Sequence, residues 1–201
     1  MDVYLASGNE YKFEEFQQLV EKLQIPVNLK RAVDAGGMPD VEESGTTFEE
    51  NACIKARALI GRIPPGSWAL ADDSGLEVDA LDGAPGVHSA RYAGLGGNAV
   101  ANNIKLIKAL RGIEIPERTA RFSCVLCFAN SEGAENLFEG TCEGHIMMAP
   151  SGKLGFGYDP LFRPVGFDQT FADLGSAIKS SLSHRARATE AWGSFLQKQG
   201  S

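Results

Sequence analysis

The chain has 201 residues, 43% of them hydrophobic and 22% charged, and a formal net charge of −7. That size and balance suit a single well-buried domain over residues 1–201 and exclude a disordered or low-complexity chain. No apolar run approaches the ~20 residues that span a bilayer, and the excess of acid excludes broad binding to a nucleic-acid backbone, which depends on neutralising many phosphates. The expectation is a cytoplasmic protein with neither a membrane nor a nucleic acid as partner.

Along the chain, residues 3–7 read as a strand, and Gly8-Asn9 turns it into a helix over 10–23 with Phe13, Phe16, Leu19 and Leu23 on one face. A second strand is predicted over 25–33, then a loop over 34–45. Thr47-x-x-Glu50 is a capping box for a helix carrying Ala52, Ala56, Leu59 and Ile60 that stops near Pro64-Pro65, and Thr46 with Glu49 offers the same box one residue earlier. Residues 68–71 form a short apolar strand that ends at Asp72-Asp73, with Ser74-Gly75 as a turn and 76–81 as a returning strand. Asn98 precedes a helix with Ile104, Ile107 and Leu110 inward, closed by Gly112. Residues 118–130 and 135–146 read as a long hairpin, 152–160 as a glycine-rich loop, and Ser183 as the cap of a last helix with Trp192, Phe195 and Leu196 inward. Helices and strands alternate early and a hairpin comes late, so the fold class is α/β with a mixed sheet.

The adjacent acids Asp72 and Asp73 point to opposite faces if they lie on a strand, so one can face a site while the other braces the backbone. Asp-Asp-Ser-Gly is equally good turn chemistry. Ser7-Gly8-Asn9-Glu10-Tyr11-Lys12 has the parts of a phosphate cradle: a turn after a strand, backbone N–H groups at a helix start and a lysine one turn in. Taken alone, Gly-Asn is also an ordinary turn. Glu42-Glu43 lies in a loop just before the helix whose Asn51 and Lys55 share a face. A carboxylate from that loop and an aspartate from 72–73 suit Mg²⁺, which takes one or two carboxylates and fills its other positions with water and phosphate oxygens; a solvated acidic loop is the plainer alternative. Phe156 and Tyr158 stand among glycines with Asp159, and His184-Arg185 opens the last helix. Cys124 and Cys127, although spaced C-x-x-C, fall on opposite faces of a strand, which points to reduced structural thiols rather than a zinc or redox pair.

Together these segments resemble the inosine triphosphate pyrophosphatase family, enzymes that hydrolyse non-canonical purine nucleoside triphosphates. The resemblance runs through Ser7-Gly8-Asn9 with Lys12, Glu42 to Gly45 with Thr47-Phe48-x-Glu50-Asn51-Ala52 and Lys55-Ala56, and Ala71 to Leu76. It continues through Gly83 to Val87 with Ser89 to Tyr92, Gly155 to Pro160, and Thr170 to Leu174 with Lys179 and Ser183-His184-Arg185. Asp173 and Ser180 stand where the family often has glutamate and asparagine.

The resemblance implies an elongated mixed β-sheet flanked by helices, two lobes with the active site in the cleft between them, and a homodimer. It implies Mg²⁺-dependent cleavage between the α- and β-phosphates, giving a nucleoside monophosphate and pyrophosphate. Carried over by position, Ser7, Gly8, Asn9, Glu10, Tyr11 and Lys12 hold the triphosphate, Glu42 and Asp73 serve the metal, and Asp73 accepts the proton of the attacking water. Lys12 and Lys55 neutralise phosphate charge, while Ser74, Phe156, Gly157, Tyr158, Asp159, Lys179, His184 and Arg185 contact the nucleotide. A nucleotide-binding sensor without turnover and a pyrophosphatase for modified pyrimidine nucleotides are the competing functions.

Overall fold

The computed structural model describes residues 1–94 and 97–199. Six strands join in one mixed sheet: β1 (Asp2–Leu5), β2 (Asn28–Arg31), β3 (Trp68–Val78), β4 (Thr119–Asn130), β5 (Glu135–Ile146) and β6 (Phe162–Pro164), with hydrogen-bonded neighbours in the order β2-β1-β3-β4-β5-β6. Strand β1 pairs in parallel with both β2 and β3, whereas β5 and β6 are antiparallel. The helices are α1 (Glu10–Lys22), α2 (Phe48–Ile60), α3 (Ala99–Ala109), α4 (Phe171–Leu182) and α5 (His184–Gln199). The expected mixed α/β sheet is borne out.

The chain divides into two compact units. The first comprises residues 1–73, 124–140 and 185 onward; the second comprises 74–123 and 141–184. In the first unit the sheet is buried on both faces, as parallel strands between helices require. Val3, Leu5, Leu70, Leu126 and Phe128 face one way, against Phe13 and Phe16 of α1 and Trp192 and Leu196 of α5. The alternate residues Tyr4, Ala6, Ala69, Ala71, Val125 and Ala129 face the other way, against Ala52, Ala56 and Leu59 of α2. This period of two puts Cys124 on the first face and Cys127 on the second, as their spacing predicts. The second unit packs Leu76, Val78, Phe122, Ile146 and Phe162 with Leu106 and Leu110 of α3 and with Phe171. All four cysteines are buried, and none is in a disulfide.

Four sequence expectations need correction. The strand predicted over 25–33 is only Asn28–Arg31. Gln24 takes φ 52°, and the amides of Gln24 and Ile25 return to carbonyls of α1, so residues 24–27 are spent ending the helix. After Arg31 its own amide donates to the Asp34 carboxylate at 3.0 Å, drawing the chain into a short 3-10 turn. On α3 Leu106 is fully buried, and Leu110 at the helix's C-terminal cap is buried as predicted with Ile107 packed against the same cluster, whereas Ile104 is exposed. Strand β6 and helix α4 were missed, although Thr170-x-x-Asp173 is a capping box and both of its halves form.

The largest correction concerns Asp72-Asp73, which lie inside an eleven-residue strand rather than at the end of a short one. Ser74-Gly75 passes through as extended chain, and just beyond it the Leu76 amide donates to Ser89 Oγ at 2.9 Å. Charge stops a strand from burying only where it lacks a partner, and both carboxylates have partners here.

Candidate active site

Because β3 continues through the acids, their side chains part to the two faces of the sheet. Asp72 shares the face of Leu70 and α1; Asp73 shares that of Ala71 and α2. Asp72 is 2% exposed. Its Oδ1 receives Lys12 Nζ, and its Oδ2 receives Arg185 Nε at 3.1 Å and the Cys124 thiol at 3.2 Å. Burial pushes this carboxyl up, but Arg185 and then Lys12 outweigh it and hold it well below the usual range. Arg185 extends the chain of pairs, with a second nitrogen on Glu15 at 2.5 Å. Lys12 and Glu15, three residues apart on α1, meet this cluster from one helix face.

Asp73 is held differently. Lys55 Nζ, from α2, lies 2.6 Å from its Oδ1 and at a looser 3.5 Å from Glu43. Its Oδ2 is buried and has no hydrogen-bond partner among the described residues. Burial raises the Asp73 carboxyl above its ordinary value against the pull of Lys55. Burial also tends to discharge Lys55, but Asp73 and then Glu43 keep its ammonium above the usual lysine range. The loop carrying Glu42 and Glu43 is pinned by Asn51, whose Oδ1 accepts the Gly45 amide at 2.8 Å. A Cβ on Gly45 would come within 2.7 Å of that oxygen, so the close approach requires glycine. Glu43 turns toward Lys55, and Glu42 stays exposed.

The donor set on this face fits a hard divalent cation. A buried carboxylate oxygen without a hydrogen bond and the acids of an adjoining loop are the oxygen ligands Mg²⁺ takes. Asp73 with Glu42 or Glu43 would hold it.

At the start of α1, Asn9 caps the helix by accepting the Lys12 amide at 3.3 Å, and Ser7 Oγ accepts the Asn9 amide at 3.1 Å. A Cβ at Gly8 would meet nothing within 4 Å, so the backbone there opens onto free space. Glu10 and Tyr11 are exposed, and Glu10 pairs with Arg31 at 3.2 Å.

In the second unit, Asp159 organises the loop over 155–159. Its Oδ2 accepts the Phe156 amide at 2.9 Å and Lys179 Nζ at 2.8 Å. Gly155 sits at φ +76°, and a Cβ there would come within 2.2 Å of the same oxygen. The Lys179 ammonium lies 4.4 Å from the centre of the Phe156 ring. Asn103 donates to the Gly157 carbonyl at 3.1 Å, and Tyr158 donates to the Ser89 carbonyl at 2.8 Å. Asn102, buried on α3, binds the carbonyls of Ser89 and Ala90. His184 is buried and stacks on Phe122, centroids 4.9 Å apart at 15°. Ser74 is half-buried.

The structure thus brings Lys12 to Asp72, Lys55 to Asp73, and Phe156, Asp159 and Lys179 together. The Arg185 guanidinium, expected on a nucleotide, lies on Asp72 and Glu15. Sequence reasoning missed Glu15 and Asn102, and it placed Ser89 in a motif without giving it a role. The spacing of Glu15 from Lys12 on a helix was the one available signal; Ser89 and Asn102 act on distant backbone that no local pattern reveals.

Fold and side chains define the class: an α/β protein with buried carboxylate–lysine pairs set on the strands and helices of a mixed sheet. The chain belongs to the Ham1 family, whose model matches residues 3–195. It is 48% identical over 194 residues to a protein named dITP/XTP pyrophosphatase from Opitutus terrae, covering 94% of this chain and 95% of that one. With the protein of the same name from Bacillus licheniformis it shares 44% identity, covering 98% of each. Among solved structures, the Ham1 protein of Coxiella burnetii superimposes with a TM-score of 0.87 at 38% identity, covering 98% of this chain and 99% of that one. The Staphylococcus aureus Ham1 protein gives 0.86 at 36% identity, covering 99% and 100%. The family expected from the motifs is borne out.

Proposed function

We propose that the chain is a nucleoside-triphosphate pyrophosphatase that hydrolyses inosine, deoxyinosine and xanthosine triphosphates to the monophosphate and pyrophosphate with Mg²⁺, and so cleanses the nucleotide pool. The observation that carries this reading is Asp73: a buried strand carboxylate with one oxygen on Lys55 and the other without a hydrogen bond, in a chain of the Ham1 family. The name its relatives carry, dITP/XTP pyrophosphatase, supports the substrate class.

In this mechanism Asp73 takes a proton from water as the water oxygen bonds to the α-phosphorus. The bond from that phosphorus to the bridging oxygen breaks, and pyrophosphate leaves with the electron pair. A base must be unprotonated yet willing to accept a proton, and a carboxylate raised by burial is the better for it. Lys55 and Lys12 offset the charge gathering on phosphate oxygens, and the amides at the start of α1 add donors. When bound, Mg²⁺ withdraws charge from the phosphate oxygens and makes phosphorus more electrophilic. Asp72 and Arg185 hold Lys12 and the start of α5 in place.

Base choice follows from the 6-position. Hypoxanthine and xanthine present an oxygen acceptor where adenine presents an amino donor. A site that offers donors around His184 and Lys179, with Phe156 and Tyr158 as apolar walls, accepts the former and leaves a buried donor unpaired with the latter. On this reading the working species is a homodimer in the cytoplasm, and sedimentation of the purified chain tests the first point. No helix among the described residues is long and apolar enough to cross a membrane.

The deciding experiment follows pyrophosphate release from inosine, deoxyinosine, xanthosine and adenosine triphosphates and a panel of modified pyrimidine triphosphates, with and without Mg²⁺. Faster turnover of the 6-oxo purines than of adenosine triphosphate is expected. Equal rates sink the substrate assignment, tight binding without release means a sensor, and preference for a pyrimidine means a pyrophosphatase of another specificity.

A further inference from the structure

Three donors that the proposed reaction does not use meet on the α2 side of the first unit. The thiols of Cys53 on α2 and Cys127 on β4, with a carboxylate oxygen of Glu135 on β5, lie within 4.8 Å of one another. Tetrahedral coordination with metal–sulfur bonds of about 2.3 Å places neighbouring ligand atoms about 3.8 Å apart, so a modest contraction closes the set. Both thiols are free, Cys53 7% exposed and Cys127 fully buried. Glu135 is already oriented, because Arg57 grips it with two hydrogen bonds of 2.8 and 2.9 Å.

Charge and access both favour a soft divalent cation. Two thiolates neutralise it, and the Glu135 carboxylate brings its own counter-charge in Arg57, so the filled cluster carries no net charge. A cavity of about 430 Å³ lies beside it, lined by Cys53, Arg57, Glu49 and Glu50 among others. That cavity gives an acid-lined approach to the Cys53 side of the cluster.

We propose that Cys53, Cys127 and Glu135 form a binding site for a thiophilic divalent cation of the zinc type, separate from the Mg²⁺ site. On binding, two metal–sulfur bonds form and both thiol protons leave to solvent, with no redox change. Burial keeps both thiols protonated in the empty cluster, above the ordinary cysteine range, so the cation must displace those protons. Magnesium, which prefers oxygen ligands, does not compete.

The test is a titration of the full chain with Cd²⁺ in excess Mg²⁺, read by the ultraviolet sulfur-to-cadmium charge-transfer band and by proton release. One cadmium per chain and two protons per cadmium are expected. Cys53→Ala and Cys127→Ala should each lose most of the band, Glu135→Gln should weaken binding while retaining it, and Cys142→Ala, a buried thiol in the other unit, should match the parent. Circular dichroism identifies any variant that fails to fold. Should Cys127→Ala fail, Cys53→Ala and the Cd-113 resonance of the loaded parent, which reports how many sulfurs bind, still decide. An absent band in the parent, an undiminished band in folded Cys53→Ala, or a resonance without two sulfurs overturns the proposal.

Discussion

The two units hold their charges in contrasting ways. In the first, acids and bases alternate through the interior, Glu15 to Arg185 to Asp72 to Lys12 on one face and Asp73 to Lys55 to Glu43 on the other. In the second, the buried pair of Lys179 with Asp159 stands among rings. Dense pairing lets one group be exchanged for an incoming phosphate while its neighbours still see counter-charge. Rings gathered around an ion pair discriminate by shape and by which edge donates. The first arrangement suits chemistry on an anion, and the second suits recognition of a flat base.

The largest expected effect breaks this contrast at Asp73. Asp73→Asn should lower turnover by at least about 10³-fold while the melting temperature holds or rises, measured by pyrophosphate release and calorimetry. Retained activity would show that the base is elsewhere. Asp72→Ala should reverse the pattern, because it takes one of two carboxylates from a guanidinium that is only 1% exposed and leaves it Glu15 alone. A buried charge left wholly uncompensated costs about 3–5 kcal/mol, so with Glu15 in place a smaller loss is expected, which urea unfolding reads directly. If Asp72→Ala instead keeps its stability and loses turnover, the division between the two faces of β3 fails.

A smaller change in rate is expected from Lys55→Met, which should cost about 10²-fold in kcat/KM and some stability as well, since it takes the buried Asp73 carboxylate's ion-pair partner. Lys179→Met sharpens the other side of the comparison. It removes a charged hydrogen bond worth about 1.5–3 kcal/mol and should raise KM about tenfold or more with kcat nearly unchanged. A fall in kcat alone would move Lys179 from recognition into the chemistry.

Much of this was legible in the sequence wherever the signal was local. The hairpin strands were placed within a residue, and the faces of α1 and α5 followed from spacing. The separation of Asp72 and Asp73 also followed from the alternation of a strand, even though the strand's length was misjudged. That misjudgement has a physical source. Two acids before Ser-Gly look like a turn until Arg185, 113 residues away, is known to lie beside one of them. The same holds for Glu43 over Glu42: which acid turns inward depends on Asn51 fixing the loop and on Lys55 waiting across from it.

The burial of every thiol gives the chain a built-in record of its own openings. A reagent that modifies sulfhydryls reaches such groups only when the surrounding structure parts, so the rate of labelling measures the free energy of that event. Cys142 reports on the second unit, while Cys53, Cys124 and Cys127 report on the first. Mapping which sulfur reacts first, with and without nucleotide, would therefore rank the units by resilience without introducing any probe.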